Sequence, residues 1–130
     1  SAPTAVSAPA TAKTSPIAVT YSGASDGASG LKQVILWVKK GAGAWTATTV
    51  TGTADAGTLN YSGMSGDATY YFAVQSEDNA GNKSAAPTGN GQANTVFDAT
   101  APAAAAVTAP AHASTVPIAV SYTGAAEVTE

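Results

Sequence analysis

The fold is decided by residues 68–84, which read ATYYFAVQSEDNAGNKS. Two sets of side chains alternate along the first half of this stretch: Tyr70, Phe72 and Val74 in one set, Tyr71, Ala73 and Gln75 in the other. Alternation with a period of two predicts a β-strand that is buried on one side, and the polar residues that follow predict a turn. We therefore expect the central strand of a β-sandwich, with the first set of side chains in the core.

The other apolar segments also have strand character. Each is short, rich in β-branched or aromatic residues, and bounded by turn residues at intervals of about 8 to 12 residues, whereas no segment has the helical period. In residues 16–21, for example, Ile17, Val19 and Tyr21 are expected to point inward. Residues 1–98 thus contain seven predicted strands, in segments 1–15, 16–21, 31–40, 44–50, 58–61, 92–97 and the first half of 68–84.

The central stretch resembles the penultimate strand of fibronectin type III and bacterial immunoglobulin-like repeats, in which Tyr-x-Φ-x-Val-x-Ala/Ser is followed by Asp, Gly, Asn and Ser. Residues 30–37 are similar to the Gly-Leu-x-x-Val-x-Leu-Trp/Tyr pattern of these repeats. The resemblance implies an all-β, seven-stranded immunoglobulin-like sandwich, with Tyr70 in the tyrosine-corner position and its hydroxyl bonded to nearby backbone. It also implies an inward set, Val34, Leu36 and Val38, and an outward pair, Ile35 and Trp37. Such domains are scaffolds, so the resemblance predicts architecture rather than a ligand.

Composition excludes several kinds of partner and site. Only 10% of the residues are charged, well below the roughly 25% of typical soluble domains, and small residues are abundant. This composition favours a secreted or surface-exposed bacterial repeat. A net charge of -3 with 5 Lys and Arg argues against nucleic acid and anionic membranes, which need clustered cations. Cysteine is absent, so neither a disulfide nor a thiol site is expected.

Membrane-spanning and signal segments are the next features to consider. No apolar run approaches the roughly 18 residues of a membrane span, so no membrane insertion is expected. Residues 1–4 lack both an initiator Met and a charged-then-apolar signal. We therefore expect either a processed chain or a piece of a longer one.

The last part of the chain repeats the first. Residues 110–127 match residues 9–26 at 11 of 18 positions, at a constant offset of 101. Between them, residues 98–102 read Asp-Ala-Thr-Ala-Pro and resemble the linker between successive domains of tandem bacterial arrays. We therefore expect a sandwich in residues 1–98, followed in residues 99–130 by a linker and the first two strands of a second repeat.

An incomplete repeat needs a partner. Two strands without their sheet cannot bury an apolar face, so we expect the tail to pair with an open sheet edge of a neighbouring copy. Its inward side chains would be Ile118, Val120 and Tyr122. Such contacts are head-to-tail and would propagate into a filament. Two alternatives remain open: an extended tail in a lattice or filament contact, and a window on a longer array.

The sequence does not predict an enzyme. Catalysis needs a convergent set of titratable groups, but the single histidine, His112, lies in a Pro- and Ala-rich segment without a nearby carboxylate. Calcium is the better inorganic candidate, because it prefers loop carboxylates and carbonyls. Its candidate ligands are Asp26, Glu77, Asp78 and Asp98, in loops that a sandwich can bring together. The alternative is that these residues stabilise turns and face solvent.

Outward aromatic residues are the remaining candidates for a site. Ile35, Trp37 and Tyr71, together with Trp45, predict an apolar patch on one sheet. Such a patch suits a sugar ring or another subunit, and ordinary cross-strand pairing is the simpler alternative. Two functions follow: a non-catalytic structural module of an extracellular protein, associating with itself or with neighbouring repeats, or a module that binds carbohydrate or serves in adhesion.

Overall fold

The computed structural model describes residues 1–108 and 121–123. The chain forms two compact units, Ser1–Ala99 and Thr100–Glu130. The described residues form ten strands and no helix, so the chain is all-β there. The strands are β1 (Ala5–Ser7), β2 (Thr11–Ala12), β3 (Ile17–Ser22), β4 (Leu31–Lys40), β5 (Thr46–Gly52), β6 (Gly57–Tyr61), β7 (Ala68–Asp78), β8 (Ala93–Phe97), β9 (Ala106–Thr108) and β10 (Ser121–Thr123).

Two sheets make up the first unit. One has the strand order β1-β3-β6 and the other β2-β8-β7-β4-β5. Every pairing is antiparallel except that between β2 and β8. Both sheets contribute to a single buried apolar cluster, as in a β-sandwich. Its members are Ile17, Val19, Tyr21 and Leu59 from the smaller sheet, Val34, Leu36, Tyr70, Phe72, Val74 and Phe97 from the larger one, and Ala24 from a loop.

The first unit has eight strands where the sequence predicts seven. The segment 1–15, predicted as one extended edge strand or linker, forms two strands that belong to different sheets: β1 pairs with β3, and β2 pairs with β8. The chain changes sheets around Pro9, which has no N–H to offer to either ladder. The extra strand is therefore a division of a predicted one.

The central strand β7 has the predicted core face. Tyr70, Phe72 and Val74 are only 2%, 0% and 3% exposed. The Tyr70 hydroxyl donates to the Ser65 carbonyl oxygen at 2.6 Å and accepts from the Ser65 N–H at 2.9 Å, so it holds the preceding turn. Burial on one side only is wrong for the second half of β7, because Ala73 and Gln75 on the opposite face are also buried.

The chain enters and leaves the first unit at opposite ends. The terminal ammonium of Ser1 donates to the Ser25 carbonyl oxygen, beside the loop that contacts the last residues of β7. The exit lies near the start of β7, where the Ala99 N–H donates to the Asp67 carboxylate at 2.9 Å. The two ends are called the entry end and the exit end below.

The second unit contains one ladder in its described residues. Strands β9 and β10 pair antiparallel, with Ala106 opposite Thr123, Val107 opposite Tyr122 and Thr108 opposite Ser121. In the first unit, β1 and β3 pair Ala5 with Ser22, Val6 with Tyr21 and Ser7 with Thr20. Each of the three pairs in the second unit lies 101 positions after its counterpart. The backbone thus repeats with the same offset as the sequence.

Candidate functional site

The outer face of the larger sheet carries the predicted aromatic residues. Alternation along β4 places Val34 and Leu36 in the core, with Val38 packed against it, and leaves Ile35, Trp37 and Lys39 on the outer face. Across the ladder to β7, the register pairs Ile35 with Gln75, Trp37 with Ala73 and Lys39 with Tyr71. All three β4 residues are partly exposed, so the outward positions of Ile35 and Trp37 agree with the prediction.

Residues 84–92, here called the covering loop, cover part of this face. Beyond Phe72, where the pairing of β7 with β8 ends, the loop replaces the ladder. The Ser84 hydroxyl accepts from the Ser76 N–H, and the Gln92 side-chain oxygen accepts from the Val74 N–H at 2.8 Å. The Gln92 N–H donates to the Phe72 carbonyl oxygen. The loop therefore buries the outer side of β7, which explains the burial of Ala73 and Gln75.

A lysine joins two of the outer-face aromatic rings to the covering loop. The Lys39 Nζ donates to the Gly89 carbonyl oxygen at 2.6 Å and lies 4.8 Å from the centre of the Tyr71 ring and 5.6 Å from that of Trp45. The Trp45 Nε1 donates to the same carbonyl oxygen at 3.2 Å. Both rings are thus engaged in cation–π contacts that stabilise the loop.

Gly91 permits the close approach of the loop to Trp45. A Cβ at this position would lie 2.5 Å from Trp45 Cη2 and 2.8 Å from the Phe72 carbonyl oxygen, and the glycine has a φ of +65°. A side chain there would collide with the indole ring and strain the backbone. The loop conformation therefore depends on a glycine that composition alone does not single out.

Trp37 is held in a different way. Its Nε1 donates to the Gln75 Oε1 at 3.1 Å, and the Gln75 Nε2 donates to the Ser84 carbonyl oxygen at 2.7 Å. Gln75 itself is 6% exposed. The cross-strand neighbours of Trp37 are two small residues, Ala47 on β5 and Ala73 on β7. The hydrogen bond therefore fixes the indole ring through a buried side chain, while its neighbours leave space around it.

A cleft of about 230 Å³ lies between β7, the covering loop and the N-terminal segment. Its walls are mostly small: Ala2, Ala73, Val74, Ala85, Ala86, Pro87, Thr88, Gly91 and Gln92. The Gln92 side chain in this wall reaches β7. Its Oε1 accepts from the Val74 N–H, and its Nε2 donates to the Pro3 carbonyl oxygen. The cleft thus offers mainly apolar contacts.

The candidate calcium ligand Asp26 caps its own loop. Its Oδ2 accepts hydrogen bonds from the backbone N–H groups of Ser29 at 2.8 Å, Gly30 at 3.0 Å and Ala28 at 3.2 Å. These bonds, led by the one from Ser29, hold the pKa of Asp26 below its ordinary value of 3.8. The carboxylate therefore stabilises a turn, as the alternative interpretation predicts.

Asp78 has a similar role in the turn after β7. Its Oδ1 accepts from the N–H groups of Ala80 and Asn82, and its Oδ2 accepts from the Asn82 side-chain amide at 3.0 Å. Hydrogen bonds from Asn82 are the main reason why the pKa of Asp78 lies below its ordinary value. The two loops do meet, because the Asn79 N–H donates to the Gly30 carbonyl oxygen at 3.0 Å.

The four candidate calcium ligands are not brought to one place. Glu77, 8% exposed, accepts from Gln33 at 2.7 Å and from Lys32 at 3.0 Å, and these bonds lower the pKa of its carboxyl. Asp98 lies at the exit end, where its N–H donates to the Ala12 carbonyl oxygen. Within residues 1–108 and 121–123, no three His, Cys, Asp or Glu side chains form a group that could hold a metal ion.

The candidates in the tail are only partly described. Ile118, Val120 and His112 lie outside the described residues, and Tyr122 lies in β10 opposite Val107. In the part of the chain that the structure describes, no helix has the length and apolar character needed to cross a membrane. No family model matches the sequence, and neither a curated protein nor a solved structure matches it.

Proposed function

We propose that the chain is a non-catalytic structural module of an extracellular or cell-surface bacterial protein, built from tandem immunoglobulin-like, fibronectin type III-like sandwiches. The observation that carries this proposal is the repeated ladder. Strands β9 and β10 pair in the same register as β1 and β3, with every residue shifted by 101. A chain that begins the same sandwich twice is organised as an array of similar modules.

The strand order supports the fibronectin type III-like part of the proposal. One sheet contains β1, β3 and β6. The sheet opposite it contains β8, β7, β4 and β5 in that order, and β2, the second half of the divided first strand, pairs with β8 at its edge. The Tyr70 hydroxyl bonds to the turn just before its own strand, as a tyrosine corner does. Scaffolds of this kind carry function in their surfaces rather than in the fold.

The positions of the chain ends favour a spacer. Ser1 lies at the entry end and Ala99 at the exit end. A module entered at one end and left at the other lengthens a chain each time it is repeated. The low charge content favours a surface-exposed repeat, and without cysteine the apolar core must supply the stability.

The second repeat also carries the proposal that copies assemble. In the first unit β3 has β1 on one edge and β6 on the other, whereas the described residues give β10 only its β1 counterpart, β9. The edge of β10 on the side away from β9 corresponds to the edge of β3 that β6 covers. We propose that a strand from a neighbouring repeat or copy pairs along that edge, which would join copies of the chain head to tail into a filament.

Light scattering on the 130-residue chain and on residues 1–99 tests both parts. The shorter chain contains every strand of the first sandwich, so we expect a cooperatively folded monomer. The full chain should form larger species that grow with concentration. A full chain that stays monomeric would overturn strand pairing between copies and leave the spacer. Failure of residues 1–99 to fold alone would overturn the module itself.

A further inference from the structure

Trp37 and Trp45 both lie on the outer face of the larger sheet, but only one of them has its ring engaged. Trp45 bonds to Gly89, packs against Gly91 and lies beside the Lys39 ammonium, so it fastens the covering loop. Trp37 has neither an aromatic nor a cation contact within the described residues. Its one polar bond goes to Gln75 and leaves the ring partly exposed.

The Trp37 ring is held in place before any ligand arrives. Gln75 accepts the indole N–H and is itself anchored on the Ser84 carbonyl oxygen at 2.7 Å. Because Gln75 is nearly fully buried, the acceptor cannot easily move away. A ligand that stacks on this ring therefore does not have to order it, which removes part of the usual entropic cost of binding.

The surroundings of Trp37 are uncharged and rich in hydroxyl groups. Strand β5, on the other side of β4, reads TATTVTG and contains no charged residue. Its Thr51 is exposed and lies opposite Ile35, while Ala47 is exposed and lies opposite Trp37. The nearest cation on this face of β4 is Lys39, and its ammonium is bound to the Gly89 carbonyl oxygen. The Lys39 ammonium keeps its charge, but it lies beside the Tyr71 and Trp45 rings and is held by the covering loop.

An indole ring held in place beside small residues, with the exposed Thr51 opposite the neighbouring Ile35, suits one class of ligand best. The ring of a neutral sugar has an apolar C–H face, which stacks on an aromatic ring, and a rim of hydroxyl groups, which bond to Thr side chains. We propose that the outer face around Trp37, with Ile35 and Thr51, binds a neutral polysaccharide. This site lies within the first unit and does not depend on the repeated ladder or on pairing between copies.

Retention on insoluble neutral glycans tests the proposal. The full chain is mixed with cellulose, chitin, insoluble β-1,3-glucan and granular starch, and with insoluble calcium alginate as an anionic control. We expect retention on at least one neutral glycan, with roughly tenfold or greater loss for Trp37→Ala, as expected for one lost stacking contact. The matched control is Trp45→Phe, which should keep retention within about threefold because an aromatic ring remains beside Lys39 and still fastens the covering loop.

Single-tryptophan variants provide a second measurement. In Trp45→Phe the remaining indole is Trp37, so a soluble oligosaccharide of the retained glycan should shift its fluorescence. In Trp37→Phe the remaining Trp45 should show no shift. If Trp37→Ala does not fold, Trp37→Thr keeps strand propensity and replaces it.

Three results would overturn the proposal: no retention on any neutral glycan, equal loss of retention in Trp37→Ala and Trp45→Phe, or a change of oligomeric state in Trp37→Ala without any glycan. The last would assign the patch to a second copy of the chain. None of them affects the spacer proposal, which the behaviour of residues 1–99 tests separately.

Discussion

The two faces of the larger sheet are stabilised in different ways. On the core face, Leu36, Phe72 and Val74 are at most 3% exposed and pack among other apolar side chains. On the outer face, the contacts are directional and join residues far apart in sequence. Trp37 reaches Gln75 over 38 positions, and Lys39 reaches Gly89 over 50.

This difference determines how each face responds to change. Apolar packing is non-directional, so the core face loses stability roughly in proportion to the area or volume removed. The outer face depends on a few polar atoms in the covering loop, so removing one of them releases a whole segment. We therefore expect substitutions on the core face to change global stability most, and those on the outer face to act more locally.

The largest expected effect separates two adjacent tyrosines of β7. Tyr70 is 2% exposed, packs edge-on against Phe97 with ring centres 6.1 Å apart, and holds Ser65 through its hydroxyl. Tyr70→Ala removes the ring and the hydrogen bonds together and should destabilise the first unit by about 3 kcal/mol or more. Tyr71→Ala removes a partly exposed ring and one cation–π contact and should cost about 1 kcal/mol.

Urea denaturation followed by circular dichroism measures both variants under the same conditions. Since the two substitutions are chemically identical, the difference between them reports only the face of the sheet. Equal losses would mean that the covering loop contributes as much stability as the core, and the contrast between the two faces would then fail.

Much of the core could be predicted from the sequence, because alternation is a local signal. The inward positions of Tyr70, Phe72 and Val74 follow from a period of two, and so do those of Ile17 and Val19 on β3. The prediction that β7 is buried on one side only is wrong for its second half. A loop that covers the outer face of a strand produces no periodic pattern in the sequence of that strand. A loop of small and polar residues, such as residues 84–92, is typical of a solvent-exposed segment.

The sequence predicts the positions of the aromatic residues in the candidate site but not the contacts of its polar residues. Outward Tyr71 follows from the same alternation, and outward Trp37 follows from the repeat pattern that residues 30–37 resemble. Neither Lys39 nor Gln75 has a sequence signal that names its partner. Lys39 lies two residues after Trp37, and this spacing places both on one face. A cation beside outward aromatic residues was therefore a signal that the sequence offered for the cation–π contacts.

The division of the first strand had a weaker signal. Pro9 lies in the middle of segment 1–15, and a proline cannot donate to a ladder. That a ladder ends there is predictable. Which sheet each half joins is decided by tertiary pairing with Thr20–Ser22 and with Val96–Phe97, which no local pattern contains.

A middle-sized effect should follow from loss of the Gln75 side chain, which links the sheet to the covering loop. Gln75→Leu keeps a similar volume but removes the acceptor for the Trp37 N–H and the donor to the Ser84 carbonyl oxygen. We expect a loss of about 1 to 2 kcal/mol, since both former partners regain only partial solvation. Trp37 fluorescence in a Trp45→Phe background should also shift, because the ring loses its anchor.

Gln33→Leu is the matched control for Gln75→Leu. Gln33 is partly exposed and makes one hydrogen bond, to Glu77, which Lys32 continues to hold. Gln33→Leu should lower the free energy of unfolding by less than Gln75→Leu and should leave the Trp37 fluorescence unchanged. If the two leucine variants behave alike in both measurements, Gln75 does not anchor the outer face.

The smallest expected effect concerns Thr95, a polar residue of β8 whose side chain is completely buried in the core. Thr95 is 0% exposed and lies opposite Tyr70, and its Oγ1 has no hydrogen-bond partner in the part of the chain that the structure describes. A buried hydroxyl without a partner costs free energy relative to a methyl group of the same size. Thr95→Val should therefore stabilise the first unit, by about 1 kcal/mol, without changing its packing volume.

The control for Thr95→Val is Thr20→Val on β3. Thr20 is exposed, so its hydroxyl stays in water before and after folding, and the same substitution should change stability by less than about 0.5 kcal/mol. The urea denaturation midpoints of the two variants are compared. The comparison is direct if the free energy of unfolding falls with urea concentration at the same slope in both variants. A Thr95→Val variant less stable than the parent would show that the hydroxyl makes a stabilising bond, for instance to a buried water molecule, and that the core face is not held by apolar packing alone.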